Sequence, residues 1–373
     1  ALPGMSQDSI PTKRSLGATA GHACGHHLFG TASVASAIAI RDWMKETGQK
    51  GTIKLFGCPA EEGGSGKVYM VRDGVFAGAD VMLHWHPNDV NSVSNTSSLA
   101  NKTGKFRFYG LSSHAAASPD RGRSALDGVE AMDHMVNMLR EHVPQTTRIH
   151  YVITNGGKAP NIVPDFAEVY YYVRSPQRAI VEDVWNRIQK AAEGAAMGTG
   201  TRYELELIGG VYEMLPNDVL AGVMSANLQQ VGGYSMNPTE IAFAKQIQQT
   251  EGMRQVDLAS TQSVSPGRPD PSSGGSTDVG DVSWVVPTIG LGAATWVPGT
   301  SAHSWQAVAA GGTSIGKKGM MVAAKTLTST AMDLFKNPKL IEDATSEFKK
   351  RTGEGFKYKA LLGDRKPALN YRD

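Results

Sequence analysis

The stretch GHACGHH places His22, Cys24, His26 and His27 within six residues. Thiolate and imidazole are preferred ligands of zinc and similar divalent ions. The cluster is therefore a candidate metal site; an incidental histidine group in the loop before a helix is the plainer reading. PAEEGGSGK supplies the adjacent acids Glu61 and Glu62. Such a pair can divide labour, one carboxylate coordinating a metal and the other acting as general base on an activated water. A solvated acidic turn is the alternative. A phosphate loop is excluded, because Val68 follows Lys67 where Ser or Thr is required, and two acids would repel phosphate.

HWHP adds His84 and His86 at the end of an apolar strand. Strand alternation is expected to turn at most one of them toward a given site. His303, in GTSAHSWQ, stands alone in a loop before the last long helix. His114 lies in a loop of small residues, Asn161 in a turn and Arg174 at a strand end. Arginine suits a bidentate grip on a carboxylate, and His and Asn suit a polarised carbonyl oxygen; the plain reading of each is a turn or surface residue. His134, His142 and His150 receive no function. Cys58 reads as a small core residue. A serine hydrolase built on SSGGS lacks the nucleophile-elbow pattern.

These residues need elements to hold them. Residues 27–46 are Ala-rich with helical apolar spacing. GTIKLFGCPA reads as a strand stopped at Pro59, residues 67–76 as a short helix, and ADVMLHWHP as a second buried strand. Alternating helix and strand predicts a parallel sheet with helices on both faces, its ligands at the strand ends. From about residue 101 the order changes to strand, helix (124–143), strand (147–154), strand (166–174), helix (178–196), strand (202–212), a ferredoxin-like β-α-β-β-α-β module. Helices resume at 216–231 and 238–249. A Ser/Gly/Pro-rich loop covers 260–281. VSWVVPTIGLGA reads as a strand, and helices follow at 314–336 and 338–350. The expected architecture is α/β with an inserted module: catalytic segments 1–100 and 214–373, and a lid over 101–213.

Bulk properties narrow the function. The 373 residues are 40% hydrophobic and 19% charged, ordinary for a globular chain, and carry a net charge of +2. No basic stripe points to nucleic acid, and no apolar run has the length of a membrane span. No signal-peptide pattern opens the sequence, and a cytoplasmic location is expected. Two cysteines, Cys24 and Cys58, do not make a disulfide framework.

Taken in order, GHACGHH, PAEEGG, SSHAAASPDRGRSALDGVEAM, GGKAPNIVPDFAEVYYYVR, GSTDVGDVSWVVPT and SAHSWQAVA resemble the M20 family of metal-dependent amidohydrolases and peptidases. They resemble in particular the branch that contains the B subunit of aminobenzoyl-glutamate hydrolase. The resemblance implies a di-metal aminopeptidase-like catalytic domain with a lid and dimerisation domain inserted in it. It implies two divalent ions per chain, zinc or manganese, held by Cys24, His26, Glu62, His303 and one strand histidine. His86 is favoured by its step from Asp80, with His84 the alternative. Glu61 matches the general base, which would act through a metal-activated water. His114, Asn161 and Arg174 match lid residues that hold the substrate's carbonyl and carboxylate, His114 across a dimer interface. The implied substrate is an N-acyl or N-aroyl amino acid resembling aminobenzoyl-glutamate. The implied partners are a second copy through the lid or a second kind of subunit, with no nucleic acid and no membrane. A non-catalytic metal-binding or regulatory subunit is the rival reading, and an intact Glu61 argues against it. Asp278 and Asp281 are expected to orient metal ligands. His27 stands where many relatives carry Asp or Asn. ALPG resembles an internal family segment, so the opening part of the catalytic domain is expected to be missing.

Overall fold

The computed structural model describes residues 1–266 and 274–369, so the expected loop at 260–281 falls partly outside the described residues. Strand β1 (Leu2–Pro3) pairs with β2 (Ala20–Gly21), and the chain enters the long helix α1 (His26–Thr47). The one-turn helix α2 (Glu61–Gly64) and α3 (Gly66–Arg72) precede β3 (Met82–Asn88) and β4 (Asn91–Ser94). Next come β5 (Ala100–Tyr109), α4 (Ala125–Leu139), β6 (Arg148–Asn155), β7 (Phe166–Ser175), α5 (Arg178–Thr199) and β8 (Arg202–Val211). The chain continues through α6 (Asp218–Val231), α7 (Pro238–Gln248), β9 (Val264–Ser265), α8 (Val279–Ser283) and β10 (Thr288–Ala294). Helices α9 (Trp305–Gly311), α10 (Ser314–Lys336) and α11 (Pro338–Thr352) end the described order.

One four-stranded sheet has the order β3-β10-β4-β9. Strand β10 is buried along its whole length, between β3 and β4. Helix α1 buries Leu28, Ala32, Ser36 and Ile40, one residue per turn, and ends on left-handed Gly48. Leu28 and Ala32 join Leu220, Met224 and Leu228 of α6 and Val322, Ala323 and Leu327 of α10 in one core with Trp85, Ile289 and Leu291. Trp85 also donates from Nε1 to the Phe29 carbonyl at 3.2 Å, locking β3 to α1.

The sheet differs from expectation in two respects. It is mixed, not parallel: β3 and β10 run parallel, β10 and β4 antiparallel, β4 and β9 parallel. Only Asp89 and Val90 separate β3 from β4, far too few residues for a parallel crossover. The expected strand over GTIKLFGCPA does not form; residues 51–60 have no regular structure, and Ile53 and Leu55 are 38% and 52% exposed. A strand needs neighbours for its backbone groups, and no described strand lies along this segment. Likewise, the expected strand from Val282 begins only at Thr288, the residues before it turning as α8.

The second sheet has the order β6-β7-β5-β8, every pair antiparallel. Its sequence order is the expected β-α-β-β-α-β. Alternate residues Phe106, Phe108, Val169 and Tyr171 face Val129, Met132, Trp185 and Ile188 of α4 and α5 in a second core. Arg178, at the start of α5, pairs with Glu213 at 2.7 Å and stacks 3.6 Å from the centre of the Trp284 ring, tying this module to α8. Among the described residues, no helix is long and apolar enough to cross a membrane.

Candidate metal centre

Cys24 and His26 are set by a turn that only glycine makes easily. Gly25 between them has φ 80, and a Cβ there would sit 2.7 Å from Pro87 Cγ. His26 opens α1 and Cys24 is buried beneath it. Across the sheet, His86 Nδ1–H donates to the Pro87 carbonyl at 2.6 Å, leaving Nε2 as the outward lone pair, 3.3 Å from Cys24 Sγ. His26 Nε2 and His303 Nε2 each lie 3.3 Å from Glu62 Oε1. His26 Nε2 is 3.8 Å from Glu61 Oε2. Ligand atoms of Cys24, His26 and Glu62 all fall within 4.8 Å of one another.

This donor set fits a divalent metal. Ligands about 2.1 Å from a tetrahedral ion stand about 3.4 Å apart, and the 3.3 Å separations match that edge. The non-glycine residues with left-handed backbone among those described, Ala60, Ser65 and His303, all flank or belong to this cluster. Such strain concentrates where geometry is over-determined.

Electrostatics follow from the crowding. Burial, then the charges of Glu62 and Glu61, push the Cys24 thiol well up, so that a nearby cation is what would make it a thiolate. Burial alone would raise Glu62, but the hydrogen bonds of His26 and His303 outweigh it and hold its carboxyl well below the usual range. The same Glu62 contact raises His303. Glu61 is raised by burial and then by Asp278.

His84 is not at the cluster, and strand alternation does not explain why. His84 and His86 are two residues apart and share a face. Depth separates them: at about 3.3 Å per residue, His84 lies a full pleat further back, its ring against Gly290, where a Cβ would come within 2.3 Å. Burial pushes its pKa down to about 3. His27 turns from the cluster and donates from Nε2 to the Gly311 carbonyl at 3.2 Å.

The expectation for Asp278 and Asp281 is corrected too. Asp278 accepts from the Lys67 backbone N–H and Nζ, each at 2.8 Å. Asp281 accepts from Tyr212 N–H at 3.0 Å and from the Tyr358 hydroxyl at 2.7 Å. Neither carboxylate bonds a candidate ligand; both brace the backbone behind them. Lys67 and Thr277, whose hydroxyl donates to Glu61 Oε1 at 3.3 Å, carried no local signal, since their partners lie more than two hundred positions away.

The module residues lie elsewhere. His114 is exposed, and its Nδ1 accepts from Ala116 and Ala117 N–H at 3.2 and 3.1 Å, which puts the ring proton on Nε2. Asn161 is its neighbour through the Ala115 N–H to Asn161 carbonyl bond. Arg174 stands at the far end of β7, its guanidinium 5.4 Å from the centre of the Tyr172 ring.

Residues 99–199 match the M20 peptidase dimerisation domain. The B subunit of the p-aminobenzoyl-glutamate hydrolase of Escherichia coli K12 is 40% identical over 380 residues, covering 94% of this chain and 79% of that protein. The chain belongs to the M20 family. It is a hydrolytic enzyme of the metallopeptidase and amidohydrolase type, in the branch of that B subunit. A Xaa-Arg dipeptidase of Mus musculus is 31% identical, over 88% of this chain and 70% of that protein. Among solved structures, the Bacillus subtilis YXEP protein, a dinuclear metal binding peptidase from the M20 family, aligns with TM-score 0.58 at 17% identity, over 90% of this chain and 79% of that one. The aminobenzoyl-glutamate utilization protein of Klebsiella pneumoniae aligns with TM-score 0.56 at 20% identity, over 80% of this chain and 66% of that one. Both share the mixed α/β fold.

Proposed function

We propose that this chain hydrolyses the amide bond of an N-acyl or N-aroyl amino acid, a substrate of the p-aminobenzoyl-glutamate kind. Cys24, His26, Glu62, His86 and His303 are the proposed ligands of two divalent ions, zinc or manganese. Residues 1–100 and 214–373 form the catalytic domain and 101–213 the lid. The observation that carries the reading is Glu61: half-buried, its Oε2 3.8 Å from His26 Nε2, its carboxyl raised, and beside the donor cluster without being part of it. Metal bound there would acidify a water and polarise the scissile carbonyl. Glu61 accepts the proton of the attacking water and returns it to the departing amine. His114, with its proton on Nε2, donates to the carbonyl oxygen as negative charge develops. Arg174 and Asn161 grip the free carboxylate.

Along β7, Phe166 to Arg174 spans about 26 Å. His114 and Asn161 at one end and Arg174 at the other are too far apart to hold one small substrate within a single chain. That separation favours a homodimer through the lid, in which His114 and Asn161 of the partner subunit complete the site beside Arg174. The relative's name, which makes it the B subunit of a hydrolase, also favours a second kind of subunit.

Glu61→Gln tests the general base. Turnover of p-aminobenzoyl-glutamate should fall on the order of 10²–10⁴-fold, while mass spectrometry still finds about two metals per chain, as in the wild type. Near-full turnover in this variant would remove Glu61 from the mechanism.

A further inference from the structure

Glu61 and Glu62 share one turn, yet a general base and a metal ligand have different tasks, so that turn must hold two carboxylates in distinct attitudes. Its ends are fixed by unusual backbone, with Ala60 at φ 57 and Ser65 at φ 53. Two residues beyond Ser65, Lys67 is bolted by both its backbone N–H and its Nζ to Asp278, which is 1% exposed. The residue before that aspartate touches the first glutamate. Thr277 Oγ1 accepts from Val279 N–H at 3.4 Å and directs its own hydrogen to Glu61 Oε1 at 3.3 Å. The other carboxylate oxygen, Oε2, is the one that approaches His26 and the donor cluster.

We infer that Thr277 is a positioning residue for Glu61: its hydroxyl holds Oε1 so that Oε2 faces the reacting water, and the Lys67–Asp278 pair keeps Thr277 in place. The inference rests on the general-base reading of Glu61. A carboxylate on a flexible stem otherwise rotates between orientations, and misplacing a reacting group by an ångström is enough to slow a reaction substantially. Thr277 is not itself one of the proposed metal ligands, and its hydroxyl bonds Glu61, so its loss should leave metal binding and ground-state substrate binding alone and act on turnover.

The test compares Thr277→Val, which keeps the shape and removes the hydroxyl, with Thr277→Ser, which keeps the hydroxyl. Glu61→Gln is the reference. With p-aminobenzoyl-glutamate as probe, Thr277→Val should lose about 10-fold in kcat with KM changed by less than about twofold. Metal content by mass spectrometry should be unchanged, and Thr277→Ser should recover kcat to within about twofold. A crystal structure of the zinc-loaded Thr277→Val protein should find the Glu61 carboxylate turned from its wild-type orientation. That readout holds whichever substrate the enzyme prefers. Wild-type kcat in Thr277→Val beside an inactive Glu61→Gln would overturn the positioning role and leave the general base standing. A full-speed Glu61→Gln would instead overturn the general base. Lost metal in Thr277→Val, or an unmoved Glu61, would reduce Thr277 to a structural residue.

Discussion

Gly25 carries more of the site than its size suggests. It separates Cys24 from His26, takes a left-handed backbone, and leaves no room for a Cβ against Pro87. Gly25→Ala must pay for the left-handed conformation, about 1 kcal/mol, and for displacing Pro87, which neighbours His86. The expected outcome is a stability loss of about 2 kcal/mol in urea unfolding and a clear fall in bound metal by mass spectrometry. An alanine variant with full metal would mean the turn tolerates more than its geometry implies. At this scale the sequence was informative where candidate groups cluster: Cys24, His26 and Glu62, which the structure brings together, and Glu61 beside them stand out by type and proximity. It was uninformative between His84 and His86, because parity along a strand cannot separate positions two apart; depth does, and depth belongs to the packed sheet. The bonds of Thr277 to Glu61 and of Asp278 to Lys67 were equally hidden, since each joins positions more than two hundred residues apart.

Among elements, the helices were legible because their signal is local. A period near 3.6 placed α1, α4, α5, α6, α7, α10 and α11 to within a few residues. Pairing is not local, and there the reading failed. GTIKLFGCPA has strand composition but no described neighbour, and β4, unforeseen, adds an antiparallel partner to the sheet. Helix α8 is a case where tertiary contact overrides composition: Asp281 within it holds Tyr212, just after β8, and Tyr358 of the C-terminal segment. Burial foremost, then Asp278, pushes Asp281 up to about 7 from 3.8, against the two hydrogen bonds it accepts. The folded chain therefore binds this proton more tightly than the unfolded one. The group's stabilising contribution is complete below about pH 4 and drains away as pH rises through 7. Asp281→Asn cannot titrate. Relative to wild type, it should gain stability between pH 5.5 and 8, on the order of one to a few kcal/mol, in urea unfolding at each pH. A difference that stays constant across that range would show that Asp281 is ionised throughout.

For the whole molecule, the question is why residues proposed to bind one substrate should stand at opposite ends of a ten-residue strand. The module is not loose: Arg178, seated between Glu213 and the Trp284, Tyr212 and Phe356 rings, ties the Arg174 end of the sheet to α8 and the C-terminal segment. His114 and Asn161 lie at the opposite end of that sheet, beside the Phe166 end of β7. Among the described residues β6 pairs only with β7, and it exposes Val152 and Ile153, while α4 exposes Met138. Apolar residues on an open edge are a liability in a lone chain and an asset in a two-fold dimer. Mixing decides between the arrangements. Glu61→Gln and His114→Ala should each be nearly inactive alone. If His114 serves the partner subunit, a hybrid dimer has one site with an intact Glu61 and an intact His114. Random exchange of equal amounts makes half the dimers hybrid, so about a quarter of all sites should regain activity, over the time sedimentation takes to report subunit exchange. If His114 serves its own chain, every site in the mixture still lacks one of the two residues. The mixture then stays as inactive as its parents, however completely the subunits exchange.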